Sequence, residues 1–349
     1  MEYTSWNWLE AVFKRIPLPY SLVSYFVFII IYSIYWLFST KVYWFEWHIF
    51  HNFQSLVASI LIAYLLIGIK FLLDKTRDTF QYIDLLYEDR EINFYTTFKE
   101  RYTGSLLYRM LVILSVIVPF IILSWNALPY HAGEPHNVWA IGLDAYGYTL
   151  LFLILLLLSE MLWLIVNVVW SLNEIRCISK AISSKVNVFG IEMKLRPVRN
   201  FLLIFVIYYF FALALAISTY LGPTNKFPYE IVFFSVLLFF GIVLFFAGLE
   251  AIQRLIDCHV ENELDNLNKK MEEQHRLLMD SVSKGGYREN KDEINYISGN
   301  LEIFRKERDS LIQINRKAYD LTAIGAFIAS FLVPLVTLLE NIRQLAIMR

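Results

Sequence analysis

Seven runs of about twenty apolar residues recur along this chain, each long enough for an α-helix to cross the hydrocarbon of a bilayer. They cover residues 20–40, 53–73, 105–125, 146–170, 200–221, 229–250 and 321–342. No water is available at that depth to satisfy backbone N–H and C=O groups, so a spanning segment must be a helix or part of a closed barrel. Unbroken apolar runs, as opposed to alternating ones, select helices. The last run is the least lipid-like, because Gly325, Ser330, Pro334 and Thr337 interrupt it. Gly and Pro are tolerated in spanning helices where neighbours re-satisfy the backbone. The expected fold class is therefore all-α, a polytopic integral membrane protein with seven transmembrane helices.

The rest of the composition agrees. Hydrophobic residues make up 57% of the 349 and charged residues only 18%, against roughly a quarter charged in a soluble domain. The net charge of -1 gives no basic field of the kind that holds nucleic acid. Cys177 and Cys258 are too few for a disulfide framework, and both fall in segments assigned to the cytoplasm. Residues 1–19 are polar, aromatic and proline-containing, with no small-residue cleavage site after a short apolar core. They are expected to stay on the chain as an interfacial segment.

Lys and Arg set the orientation. Lys75, Arg77, Arg90, Lys99 and Arg101 lie between the second and third runs, and Arg176, Lys180, Lys185, Lys194, Arg196 and Arg199 between the fourth and fifth. The opposite gaps hold Lys41, none from Trp125 to Asp144, and Lys226. With Lys14 and Arg15, this bias predicts a cell-membrane protein with a cytoplasmic N-terminus. Seven spans then put the C-terminus outside, where Arg343 and Arg349 run mildly against the rule. Trp44, Trp47, Trp125 and Trp139 fall at the predicted outer ends and Trp6, Trp8 and Trp170 at the inner ones, where amphipathic rings prefer to sit.

Residues 251–320 break the apolar pattern. Val260, Leu264, Leu267, Met271 and Leu278 repeat at threes and fours, as do Ile294, Ile297, Leu301, Phe304, Leu311 and Ala318. Both sets match a heptad seam, with Arg308 and Asn315 as polar interruptions. Lys284-Gly285-Gly286-Tyr287 between them predicts a helix stop and turn. The domain expectation is an interfacial segment at 1–19, a six-span bundle at 20–250, a cytoplasmic antiparallel coiled-coil hairpin at 251–320, and a seventh helix with a tail at 321–349. No proline falls between Glu250 and Asp320, so the sixth run should continue unbroken into the first arm, and the second arm into the last run. The gap at 74–104 carries a helical apolar stripe, Phe80, Ile83, Leu86 and Tyr87, expected to continue the second span and pack on the hairpin.

In connectivity the chain resembles the insect chemoreceptor channels, which have an inside N-terminus, seven spans and a last helix that begins in a cytoplasmic anchor. The resemblance covers the pattern of spans and no residue motif.

Two sets of residues are candidates for function. Glu160 stands in LLFLILLLLSEMLWLIVNVVW, with no basic residue in the same run. An ionisable group there suggests an ion pathway, a proton relay or a counter-charge, weighed against a protonated Glu acting as interhelical glue. Trp163 and Asn167 follow three and seven residues later, on the same face. The second set, Ser330, Thr337 and Glu340, would line a conduit if the last helix repeats around a symmetry axis, although small residues also serve plain close packing.

His131, Glu134, His136 and Asp144 sit in an irregular loop without metal-ligand spacing, so no metal site is assigned. No phosphate loop, dinucleotide fingerprint, nucleophile elbow or C-x-x-C is present, which points away from an enzyme and from a cofactor. The leading expectation is a homo-oligomeric ion channel or channel-like receptor with the last helix lining the conduit. A secondary transporter using Glu160 as coupling carboxylate is the alternative. A non-conducting scaffold that recruits a cytosolic protein through the hairpin is the third.

Overall fold

The computed structural model describes residues 8–16, 18–42, 48–87, 93–104, 110, 114, 116–121, 138–182, 191–220, 228–289, 291–316 and 321–347. Their helices are α1 (Trp8–Lys14), α2 (Tyr20–Val42), α3 (His48–Tyr87), α4 (Phe94–Gly104), α5 (Val138–Ile182), α6 (Ile191–Tyr220), α7 (Pro228–Glu289), α8 (Lys291–Arg316) and α9 (Leu321–Ile347). Among the described residues, five stretches are long and apolar enough to cross a membrane: Tyr20–Thr40, Phe53–Leu85, Ile141–Glu174, Pro197–Thr219 and Ile231–Arg254. The chain is an all-α membrane protein that crosses the bilayer several times. The last apolar run appears as the shorter Ile324–Glu340 within α9. Most of the run at 105–125 lies outside the described residues; 116–121 are helical, and Val116 packs with Leu151 and Leu155 of α5.

α3 and α5 are packed together at the centre, with α2 laid against both; α6 packs on α3, and α7 on α5 and α6. Lipid tails are as apolar as Leu, so helices here gain from close packing and from polar cross-links more than from escaping water. Both devices are present. Gly248 of α7 lies so close to α6 that a Cβ would meet Leu202 Cδ1 at 2.9 Å, and a Cβ on Gly241, seven residues earlier, would collide with the Tyr209 ring. Beside that contact the Tyr209 hydroxyl donates to the carbonyl of Leu237 at 2.7 Å. Across the bundle the Tyr146 hydroxyl of α5 donates to the carbonyl of Ile31 on α2 at 3.0 Å and lies 3.3 Å from Ser55 Oγ on α3.

α9 docks on α6 through aromatic rings. Phe327 stacks on Phe245 of α7 at 4.1 Å, and Phe210 of α6 meets Phe327 and Phe331 edge-on at 5.7 Å each. Pro334, buried on the same helix, supplies no N–H to the carbonyl of Ser330.

Three expectations are corrected. The helix does not stop at Lys284–Tyr287: α7 runs through both glycines to Glu289, and α8 begins at Lys291. Two adjacent glycines cost a helix on the order of 2 kcal/mol relative to Ala, and α7 continues through them although Leu277, Met279 and Val282 before them are exposed. α7 and α8 do pack on each other, with Val260, Leu267, Ile294, Ile297 and Leu311 buried. Arg308, however, is exposed; the half-buried position is Glu307, so the seam steps from Phe304 through Glu307 to Leu311. A long charged side chain thereby stays in water. The third correction concerns the extension of α3 beyond the apolar run. Phe80 stacks on Phe98 of α4 at 4.6 Å, making α4 the partner where the hairpin was expected. The side chain of Asn315 and the structure of Ala318 lie outside what is described, as do residues 317–320 joining α8 to α9.

Candidate functional site

The site begins with the way α4 is held. Asn93 precedes the helix, and its Oδ1 accepts the N–H of Thr96 at 2.9 Å. Asp84, from the end of α3, accepts the N–H groups of Phe94 at 2.7 Å and Tyr95 at 3.2 Å. Three of the N–H groups left free at a helix start are thus satisfied, and a carboxylate sits at the positive end of the helix dipole. Phe94, Phe98 and Tyr102, four residues apart, form the buried face. Phe98 stacks on Phe80 and on Tyr102, the latter at 5.9 Å, so the phenol is braced by rings on one side.

That arrangement delivers Tyr102 to Glu160. Glu160 is 1% exposed, inside the apolar stretch of α5, and the Tyr102 hydroxyl donates to its Oε2 at 3.4 Å. This is longer than the usual O–H···O separation of about 2.8 Å. One turn further along α5, Trp163 Nε1–H donates to the carbonyl of Tyr102 at 3.5 Å, engaging a carbonyl at the C-terminal end of α4. Asn167, fully buried, donates from Nδ2 to the carbonyl of Trp163 at 2.8 Å. At the far end of the stripe Arg101 of α4 pairs with Glu174, and its guanidinium lies 5.2 Å from the centre of the Trp170 ring.

Glu160, Trp163, Asn167, Ser171 and Glu174 follow at intervals of three and four, so they form one polar line down α5. Glu160 and Glu174 stand about 21 Å apart along the axis at 1.5 Å per residue. The line runs from the middle of the apolar stretch to its end.

Glu160 and Asn167 share one face of α5 about 10 Å apart along its axis, Ser171 and Glu174 lie on the same face, and Tyr102 and Arg101 reach it from α4. Ser171 and Glu174 continue the same three-and-four spacing and were findable from it. Tyr102 was not, because it arrives from a separate helix whose docking depends on Asp84 and Phe80. Ser330, Thr337 and Glu340 stand elsewhere, on α9, which packs mainly on α6. All three are half-buried. The Ser330 hydroxyl donates to the carbonyl of Phe327 and that of Thr337 to the carbonyl of Val333, each at 2.9 Å, while Glu340 accepts from Arg343 at 2.9 Å. Such back-bonds are an ordinary way for hydroxyl side chains to sit in a helix. His131, Glu134 and His136 lie outside the described residues, as does the side chain of Asp144.

A second charged cluster ties α1 to the bundle. Glu10, 4% exposed, lies 3.3 Å from Arg77 and 3.6 Å from Lys70, and Lys70 and Arg77 also pair with Asp74. Its partners are matched within the cluster, which gives it a structural role in seating α1.

No protein-family model, no curated protein and no solved structure matches this chain.

Proposed function

We propose that the protein is a secondary transporter that uses Glu160 as an intramembrane coupling carboxylate. The observation that carries this reading is a carboxyl group at 1% exposure, inside an apolar helix, met by a phenol from a separately anchored helix. Ionisable groups inside spanning segments are expensive and by default mark pathways or relays. Static glue would be served as well by an uncharged amide, and Asn167 already bonds the backbone of its own helix. In this reading the N-terminus is cytoplasmic, the run at 105–125 and α9 complete seven spans, and the lower part of α7 forms a cytoplasmic antiparallel hairpin with α8.

Purified protein in sealed vesicles tests the reading. An imposed pH gradient should drive solute-coupled or direct proton movement above that of protein-free vesicles, and its absence removes the transport assignment.

A homo-oligomeric channel lined by α9 is the second reading. It draws on the position of Ser330 and Thr337 on the half-buried flank of α9 and on the apolar face beyond it, Ile328, Leu332, Val336 and Leu339, which is exposed in the single chain. Discrete single-channel currents would favour it over a transporter. Recruitment of a cytosolic protein by the hairpin would leave both flux and current at baseline.

A further inference from the structure

We infer that a file of water reaches Glu160 from the end of α5 that carries Glu174, and that the species it delivers is the proton. The inference rests on Glu160 being the coupling carboxylate and adds the side of access and the ion.

Asn167 Oδ1 and Ser171 Oγ carry it. Asn167 is 0% exposed and Ser171 6% exposed, and neither oxygen has a hydrogen-bond partner among the described residues. A buried polar atom left unpaired costs about 1–3 kcal/mol, and ordered water is the usual way such groups are satisfied in an interior. The Asn167 amide nitrogen is already committed to the carbonyl of Trp163, so its oxygen is the end left to accept. Both atoms lie on the polar line between Glu160 and Glu174, and no other pair of unpartnered oxygens is aligned this way among the described residues.

Spacing decides the ligand. At 1.5 Å per residue, Asn167 stands about 10 Å from Glu160 along the helix and Ser171 about 6 Å further. Oxygens that cage a hard cation must converge on one point at about 2.3–2.6 Å, which these cannot do. Waters about 2.8 Å apart bridge both intervals. The Tyr102 hydroxyl donates to Glu160 while its oxygen remains able to accept, so it can pass a proton along the line. In the loading step a hydronium in the file gives one proton to the Glu160 carboxylate, leaving a water and a neutral carboxyl group. Unloading is the reverse. At the mouth, Glu174 and the Trp170 ring hold Arg101, so the charge of that guanidinium is matched there. Among the described residues, the titratable groups that meet the line include Tyr102 and Arg101 from α4, with Glu174 on α5 itself.

Thiol accessibility tests the file directly. In full-length protein carrying Cys177→Ser and Cys258→Ser, reconstituted in vesicles, Glu160→Cys is exposed to silver ion, a thiol-binding cation no wider than a water molecule, from one side or the other. The thiol should react at least about tenfold faster from the Glu174 side, and Asn167→Leu should slow that reaction by about tenfold, because an apolar side chain replaces a partner of the file in a low-dielectric interior. Asn167→Ser, which keeps an acceptor, should restore it. If Glu160→Cys does not fold, Ser171→Cys reads the same side preference. Equal reaction from both sides, no reaction from either, or indifference to Asn167→Leu overturns the file. Proton flux measured on the wild-type protein separates the two levels. Flux without side-specific reaction refutes the access route and leaves the carboxylate its role; side-specific reaction without flux supports the route and removes the transport reading.

Discussion

The Tyr102 hydroxyl donates to Glu160 Oε2 at 3.4 Å, closing α4 onto α5 through a phenol and a carboxyl group that are both buried. Tyr102→Phe keeps the ring stack on Phe98 and removes only the donor. It should lower stability by about 0.5–1.5 kcal/mol, the net contribution of one hydrogen bond. Thermal unfolding in detergent reads the loss. Wild-type stability together with wild-type flux would show that the contact has no consequence.

Glu10 seats α1 by facing Arg77 and Lys70 at 3.3 and 3.6 Å. Glu10→Gln should cost about 1–3 kcal/mol, below the usual figure for breaking a buried pair, because Asp74 still compensates both cations. The visible result should be faster proteolysis near Arg15, measured under conditions where the rest of the chain stays intact. Unchanged cleavage would mean that α1 is held by something else.

Gly241 and Gly299 make a contrasting pair. A side chain at Gly241 collides with the Tyr209 ring, whereas nothing lies within 4 Å of a Cβ at Gly299. Gly241→Leu should destabilise the α6–α7 pair by about 1–3 kcal/mol, as overpacking does. Gly299→Ala should stabilise α8 by about 0.5–1 kcal/mol through helix propensity alone. Equal effects from the two substitutions would contradict the close approach of α6 and α7.

Much of the fold was legible in the apolar period, since a run of lipid-like residues permits little besides a helix. Five of the seven expected runs appear as long apolar helices, and the continuity of α7 from its apolar run into the charged stretch is legible in the absence of proline between Glu250 and Asp320. Gly285-Gly286 is a strong local stop signal that points to a break at 284–287, and the break falls instead between Glu289 and Lys291, because local propensity is only a weak prior on where a long helix ends. A step of four from Phe304 leads to Arg308, whereas the helix half-buries the position three residues on, Glu307. At the site, Glu160 and Asn167 were readable because one helix carries both. The partner Tyr102 depends on Asp84 capping α4 and on Phe80 stacking with Phe98, contacts between helices that no periodicity encodes.

The central claim is that Glu160 takes up and releases a proton during transport, and the most direct measurement compares Glu160→Gln with the wild-type protein in vesicles loaded with a pH-sensitive dye. Gln keeps the size and the hydrogen-bonding capacity of the side chain while removing its titration. The wild-type protein should collapse an imposed pH gradient faster than protein-free vesicles do, and Glu160→Gln should fall to the protein-free rate with its thermal unfolding unchanged. A Glu160→Gln protein that collapses the gradient as fast as the wild type, or a wild-type protein that never exceeds the protein-free rate, contradicts the claim.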